Sequence, residues 1–117
     1  MMIASRNPIV RRQHIRYEIE GISKALHGVD RSRYLGDYLL QRAAERALLI
    51  VSEATRSLPG ELFARYPEVD WRGIVQLGNI LRHEYPMVDS EVLWEIITRK
   101  LPELRPVIDR MINELGG

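Results

Sequence analysis

Apolar residues recur every three or four positions along almost the entire chain, with no sustained two-residue alternation that would indicate strands. This pattern predicts an all-α fold, a single-domain bundle of about five helices with short connections. The first helix is predicted to start after Pro8 and to stop at Gly28, followed by a loop around residues 29–32. The second and longest helix runs from about Leu35 to Leu58, and Pro59-Gly60 ends it.

The second half of the chain adds a short helical turn and three more predicted helices. The turn covers about Glu61 to Arg65, and Asp70 is placed as the N-cap of a third helix from Trp71 to about Tyr85. The fourth helix follows a cap at Asp89 or Ser90, and the fifth begins at Leu101-Pro102 with proline in the tolerated first turn. Together these elements form one domain over residues 1–117.

The third helix carries the most informative polar pattern. Asn79 and His83 are four residues apart, so they lie one above the other on one helical face, which Gln76 and Arg72 extend. The other side of the helix is apolar, with Gly78 in its middle; it consists of Trp71, Ile74, Val75, Leu81 and Tyr85. This arrangement suggests that one helix buries two faces.

Gly78 needs an explanation, because glycine inside a helix costs about 1 kcal/mol relative to alanine. On the apolar side it would let another backbone approach closely. That backbone belongs either to a neighbouring helix of the same chain or to the same helix of a second copy, and the sequence leaves both possibilities open.

Composition and charge narrow the class of protein. The chain has 117 residues, of which 45% are hydrophobic and 28% charged, as in one globular domain. It has no cysteine, which excludes disulfides, thiolate metal sites and cysteine nucleophiles. The longest apolar run, residues 47–51, is too short to span a bilayer, and the N-terminus has no signal-peptide pattern. We therefore expect a soluble cytoplasmic protein.

The net charge is only +1, so any contact with RNA must come from a local patch. The densest basic group is near the N-terminus and comprises Arg11, Arg12, His14 and Arg16. The commoner interpretation of such a group is the solvated side of a helix. On the second helix, Arg46 and Glu53 share a face, and Glu53 is positioned to orient or balance groups on the third helix. Surface ion pairs, worth under about 1 kcal/mol, are the alternative.

His83 is the candidate general acid or base, with Asn79 and Arg82 as donors to phosphoryl oxygens. The alternative is a histidine that makes only structural hydrogen bonds. Metal chemistry is not indicated, because His14, His27 and His83 show no paired ligand spacing. A glycine-rich phosphate loop is also absent.

The third helix reads Gly78-Asn79-Ile80-Leu81-Arg82-His83-Glu84-Tyr85. The sequence resembles the HepT-like toxins of the HEPN superfamily, whose hallmark is Arg-Asn-x-x-x-His-x-Tyr on the third main helix. The resemblance covers nearly the whole chain. Further matches are Ala44-Glu45-Arg46-Ala47-Leu48, Ser52-Glu53-Ala54, Tyr66-Pro67, Asp70-Trp71, Val92-Leu93-Trp94 and Leu101-Pro102.

The resemblance implies a homodimer whose two motifs face each other in a composite cleft. It also implies a metal-independent endoribonuclease that cuts RNA by attack of the ribose 2′-hydroxyl on the adjacent phosphate, without a cofactor. His83 would be the acid/base group and Asn79 a positioning donor. The implied partner is a minimal nucleotidyltransferase antitoxin of the MntA type, which transfers AMP to the motif tyrosine, here Tyr85.

The chain departs from the motif at Gly78, which replaces the arginine. Loss of such a donor typically costs on the order of 100- to 1000-fold in rate. Arg82 is the nearest replacement, although its direction differs by about 80 to 100° from that of Asn79 and His83. Arg72 lies about 16 Å away along the axis, so it would act from the second subunit. Two hypotheses remain: a ribonuclease with a substitute arginine, or a non-catalytic module that keeps the dimer and the nucleotidyltransferase partner.

Overall fold

The computed structural model describes the backbone of residues 8–83 and 89–114, which is helical and contains no strand. The all-α prediction is therefore confirmed over these residues. The elements are α1 (Pro8–Ala25), α2 (Arg31–Leu35), α3 (Tyr38–Arg56), α4 (Gly60–Arg65), α5 (Trp71–His83), α6 (Ser90–Glu95), a π-helical turn (Ile96–Lys100) and α7 (Leu101–Glu114). No helix in this part of the chain combines the length and apolar character needed to cross a bilayer.

Helix α3 lies at the centre of the bundle. It packs against α1 on one side and α5 on the other, and α7 packs on α1. Leu48 and Val51 of α3 and Ile15 and Ile19 of α1 are each at most 2% exposed. Each side chain of this size contributes roughly 1.5–3 kcal/mol on burial, so the α1–α3 contact anchors the fold. Helices α1, α3 and α5 also carry the candidate site that is described below.

The predicted caps of two helices are confirmed. Asp70 Oδ1 accepts a hydrogen bond from the backbone N–H of Gly73 at 3.0 Å, at the start of α5. Asp89, rather than Ser90, caps α6 by accepting from the N–H of Glu91 at 2.8 Å. Such caps satisfy N–H groups that have no partner inside the helix.

The predicted start of the second helix at Leu35 is wrong. Residues 31–35 form the separate helix α2, which occupies part of the expected loop. Asp30 caps α2 by accepting from the N–H of Arg33 at 2.8 Å. Asp37 caps α3 by accepting from the N–H of Leu40 at 3.0 Å. Each aspartate caps its own helix. Helix α2 therefore ends at the C-cap Gly36, and α3 begins at Tyr38.

The last two helices form one continuous helical segment. Helix α7 begins at Leu101, as predicted, but no loop separates it from α6. The N–H of Leu101 donates to the carbonyl of Ile96, five residues earlier, which is the pattern of a π-turn. Because Pro102 has no N–H to donate, a widened turn before it lets the helix continue through residues 96–101.

Candidate active site

Helix α5 presents an apolar and a polar face, as predicted, but within the single chain only the apolar face is buried. Trp71, Gly78 and Leu81 are buried, and they face the core. The polar stripe of Arg72, Gln76, Asn79 and His83 is exposed to solvent in the single chain. The stripe is therefore available to a substrate or to a second subunit. Tyr85 lies outside the described residues.

The close approach at Gly78 is made within one chain. A β-carbon added at Gly78 would overlap Ser52 Oγ and would lie only 2.9 Å from Ser52 Cβ. Ser52 is 2% exposed, and its hydroxyl donates to the carbonyl of Val75 at 3.2 Å. The Ser52 hydroxyl thus forms a hydrogen bond between α3 and α5, at a point where the absence of a side chain on Gly78 allows the two helices to approach closely. The neighbouring-helix explanation accounts for the glycine, while its place in a dimer interface stays a prediction.

Arg82 connects the stripe to α3. One arm of its guanidinium, Nη1, forms an ion pair with the Glu53 carboxylate, and the other, Nη2, donates to Asn79 Oδ1. Although Arg82 projects in a different direction from Asn79, its long side chain brings the charge back to that residue. Nη1 also lies 3.6 Å from the point where a β-carbon of Gly78 would stand. The structure thus places a guanidinium beside the position at which the motif arginine is missing.

His83 is the last residue of α5 and is exposed. Asn79 lies one helical turn earlier on the same face and accepts a hydrogen bond from the Arg82 guanidinium. An imidazole next to a charged and an amide donor has the composition of a phosphate-processing site. Arg72 is exposed on the first turn of α5, roughly 15 Å along the axis from Arg82. That distance separates it from the group formed by Glu53, Asn79 and Arg82.

A cleft of about 550 Å³ opens from Arg82 toward the first helix. Its walls come from α1, α3 and α5, and it is lined by Arg11, His14, Arg46, Leu49, Ile50, Glu53, Ala54, Arg56 and Arg82. Arg46 and Glu53, predicted as supporting residues, thus share one cleft with Arg82. The contribution of Arg56 was missed, because no motif or spacing distinguished it from an ordinary exposed arginine of a helix end.

The basic group near the N-terminus is divided by the fold. Arg11 and His14 line the cleft, whereas Arg16 lies 3.8 Å from Asp109. Arg12 is only 3% exposed, and burial lowers the pKa of its guanidinium, an effect that Tyr66 partly opposes. The interpretation of this group as one solvated face is therefore wrong for Arg12. Its buried position leaves two residues of the group for the cleft.

The Glu18 carboxyl on α1 interacts electrostatically with two residues that line the cleft, Arg46 and His14. Burial raises the pKa of the Glu18 carboxyl, while the nearby charges of Arg46 and His14 lower it. Among the residues that the structure describes, no group of three His, Cys, Asp or Glu side chains is arranged to hold a metal ion. The polar groups of the site are instead the guanidinium of Arg82, the amide of Asn79 and the imidazole of His83.

The fold and the site define a small all-α protein with an Asn–His stripe on a core helix and an arginine-lined cleft beside it. The family described as Ribonuclease HepT-like matches residues 15–111. The chain belongs to this HepT-like family of the HEPN superfamily.

Similar proteins carry ribonuclease names. A Methanocaldococcus jannaschii protein named "Putative RNase MJ0127" is 32% identical over 84 residues, covering 72% of this chain and 69% of the relative. A Caldanaerobacter subterraneus protein named "Putative RNase TTE0752" is 30% identical, covering 87% of this chain and 91% of the relative. The "Probable ribonuclease HepT" of Thermococcus cleftensis is 28% identical, covering 87% and 98%. No solved structure matches the chain.

Proposed function

We propose that the protein is a metal-independent endoribonuclease in which Arg82 replaces the motif arginine. The observation that carries this proposal is the Arg82 guanidinium, which reaches back beside Gly78 and donates to Asn79 while Glu53 pairs with it. The family and the names of the relatives supply the class of reaction. The position of the Arg82 guanidinium beside Gly78, where this chain lacks the motif arginine, supports the choice of Arg82 as the substitute.

In the proposed reaction, the ribose 2′-hydroxyl loses its proton to a base and its oxygen attacks the adjacent phosphorus. The bond from phosphorus to the 5′-oxygen breaks, and that oxygen takes up a proton. The products are a 2′,3′-cyclic phosphate and a 5′-hydroxyl end. His83 moves a proton as acid or base, while Arg82 and Asn79 bind the non-bridging oxygens, where negative charge accumulates.

Two proton transfers at opposite ends of the phosphate favour two histidines. The α5 stripe of one protomer carries one of them, His83, while His14 lies on α1 in the cleft beside Arg82. A homodimer would bring His83 of the partner subunit into the same composite cleft. The polar stripe is exposed in the single chain, and Ile80 beside it is 41% exposed, as expected for a surface that a second copy covers. The prediction that Arg72 acts from the second subunit belongs to the same arrangement.

The resemblance further supports a toxin–antitoxin pair acting in the cytoplasm with a minimal nucleotidyltransferase of the MntA type. In this pair, AMP transfer to Tyr85 would place a bulky anion two residues from His83 and block the site. The test is incubation with ATP and the nucleotidyltransferase, followed by mass spectrometry. Wild type should gain the mass of AMP and Tyr85→Phe should not; an unmodified wild type would reject this part of the proposal.

A second function is favoured by one observation, the Arg82–Glu53 ion pair. A guanidinium that is paired with a carboxylate stabilises negative charge on a phosphate less strongly, which fits a HEPN module that binds and regulates without cleaving. Such a protein would retain the dimer and the nucleotidyltransferase partner. The two functions differ in whether His83 matters for RNA.

The deciding experiment is cleavage of a labelled single-stranded RNA in the presence of a chelator. The enzyme proposal expects cleavage by wild type and its loss in His83→Ala, with unchanged helical circular dichroism. Because His83 is exposed at the end of α5, its truncation should leave the fold intact. Equal behaviour of wild type and His83→Ala toward RNA would instead support the binding module.

A further inference from the structure

The cleft beside Arg82 concentrates positive charge in a protein whose net charge is only +1. Its charged lining residues are Arg11, His14, Arg46, Glu53, Arg56 and Arg82. Glu53 is the one carboxylate among them, and it is already paired with Arg82. Among the residues that the structure describes, Arg11, Arg46 and Arg56 form no ion pair with a carboxylate of the cleft wall, although the charge of Glu18 on α1 acts on Arg46 from outside the wall.

The cleft differs from the rest of the described surface in gathering several arginines without ion pairs in one place, since such arginines occur singly elsewhere, as at Arg33 and Arg65. Arg16, Arg31, Arg99, Arg105 and Arg110 each form an ion pair with an aspartate or glutamate. Within the described part of the chain, Arg11, Arg46 and Arg56 have no such ion pair. The cleft therefore presents three guanidinium groups whose charge suits an anionic ligand.

The spacing of the arginines indicates the kind of anion. Arg46 and Arg56 are ten residues apart on α3, which is about 15 Å along the helix axis. Two guanidinium groups mounted this far apart suit successive phosphates of a chain better than a single phosphate group. Between them the floor of the cleft is apolar, formed by Leu49, Ile50 and Ala54. Such a floor accepts the face of a ribose or a base, and a cleft of about 550 Å³ suits a single strand.

We propose that the cleft between α1 and α3 binds the backbone of a single-stranded RNA next to the phosphate that Arg82, Asn79 and His83 process. The identity of the polyanion as RNA rests on the proposed function. The strand runs along α3 past Arg82, and its phosphates contact Arg56 on one side of Glu53, Arg46 on the other, and Arg11 across the cleft. This cleft lies within one protomer, so each subunit of a dimer would guide its own length of strand.

The test uses full-length protein carrying His83→Ala, so that RNA is bound but not cut. The cleft variant adds Arg46→Gln and Arg56→Gln, and the matched control adds Arg33→Gln and Arg65→Gln. Both control arginines are exposed, unpaired among the described residues and outside the cleft, so the change in net charge is identical. Fluorescence anisotropy then gives the dissociation constant for a labelled single-stranded RNA as a function of salt.

We expect the cleft variant to bind more weakly than the control. The slope of log K against log salt should fall by about 1.4, because each lost phosphate contact on a single strand removes about 0.7. The control should keep the slope of the parent. Equal affinity and slope in the two variants would overturn the inference. It would also be overturned if the cleft variant lost binding to polyglutamate as strongly as it lost binding to RNA, because the cleft would then be a general site for acidic polymers.

The outcome is separable from that of the proposed function. If wild type cleaves RNA but the cleft variant binds normally, the cleft inference fails and the enzyme stands. If wild type does not cleave but binding depends on Arg46 and Arg56, the cleft inference stands and the enzyme fails. Absence of any RNA binding by the His83→Ala protein overturns the inference.

Discussion

The Nη1 atom of Arg82 lies 3.6 Å from the point where a β-carbon on Gly78 would stand, although the two residues are a full helical turn apart. A guanidinium therefore lies within van der Waals distance of the position at which the family's motif has arginine. A side chain at position 78 would overlap Ser52 and come into ordinary van der Waals contact with Arg82.

The first prediction concerns which arginine replaces the motif arginine. Arg82→Gln should lower the rate of RNA cleavage by about 100- to 1000-fold, because it removes a charged donor to the developing phosphorane. Arg72→Gln, with the same change in charge on the same helix, should alter the rate far less if Arg82 is the substitute. Single-turnover cleavage rates of the two variants provide the comparison.

Arg82→Lys sharpens this comparison. Lysine keeps the charge but cannot contact Glu53 and Asn79 through two arms of one planar group. It should therefore recover binding of RNA more fully than cleavage. A large loss of rate in Arg72→Gln together with a mild effect of Arg82→Gln would assign the role to Arg72 of the partner subunit.

The second prediction concerns the contact between α3 and α5. Gly78→Ala should reduce the free energy of unfolding by about 1 kcal/mol, since overpacking costs about 1–3 kcal/mol and the gain in helix propensity returns about 1 kcal/mol. Rotation of the Ser52 hydroxyl cannot relieve the contact with Ser52 Cβ at 2.9 Å. Urea denaturation gives the change in free energy.

Gly21→Ala is the matched control, because Gly21 lies in α1, is exposed, and has nothing within 4 Å of an added β-carbon. That variant should gain about 0.5–1 kcal/mol. The opposite signs of the two substitutions would show that Gly78 is kept for packing. If both variants are stabilised, the approach of Ser52 to Gly78 is looser than the structure shows. A bulky residue at Gly78 is for the same reason unsuited to testing the dimer.

Most of the fold could be predicted from the sequence because its helices are long, periodic and bounded by strong signals. Asp70, Asp89 and Pro59-Gly60 mark boundaries that the structure confirms. Helix α2 was missed because five residues are too few to show a period, and its signal is only the spacing from Asp30 to Arg33. The π-turn was missed because a hydrogen bond between Leu101 and Ile96 leaves no mark on apolar periodicity.

The candidate site was predictable only where it depends on helical geometry. Asn79 and His83 share a face because they are four residues apart, and the structure keeps both exposed. The position of the Arg82 charge was not predictable, because it depends on the rotamer that Glu53 on another helix selects. The cleft could not be predicted, because it brings Arg11 of α1 next to the helix that carries Arg56. Residues that are this far apart in the sequence meet only through tertiary packing, which local spacing does not reveal.

The third prediction concerns Tyr34, which is fully buried against Trp94, with ring centroids 5.2 Å apart. Its hydroxyl has no hydrogen-bond partner among the described residues. Tyr34→Phe should therefore raise the free energy of unfolding by about 1 kcal/mol at pH 7, because it removes an unsatisfied buried group. Tyr17→Phe, at a position 72% exposed, is the control and should change little.

The same substitution has a signature at alkaline pH. Burial, reinforced by Glu45, raises the pKa of the Tyr34 phenol to about 12, against an ordinary value of 10.0. The unfolded state thus loses this proton first, so stability falls as pH rises from 10 toward 12. Tyr34→Phe should lose less stability over that interval than wild type. Urea denaturation at pH 9 and pH 11 measures this difference, and an equal loss of unfolding free energy in the two proteins would contradict the raised pKa of Tyr34.

The fourth prediction concerns the proposed homodimer. Ile80 is 41% exposed on α5 and lines a groove of about 770 Å³ whose far wall includes Val92, itself 53% exposed. If a second copy covers this face, Ile80→Asp would place a desolvated charge in the interface, at a cost of several kcal/mol in association. We expect the variant to become monomeric by sedimentation at concentrations where wild type is dimeric.

Leu39→Asp is the control, since Leu39 is 75% exposed on α3 and lies outside both the groove and the cleft. It should leave the dimer and the cleavage rate unchanged. Monomeric Ile80→Asp should also lose cleavage, because His83 of the partner subunit would no longer reach the shared phosphate. A monomer that cleaves RNA at the wild-type rate would show that one protomer holds the complete active site, and that Arg82, Asn79 and His83 of a single chain suffice.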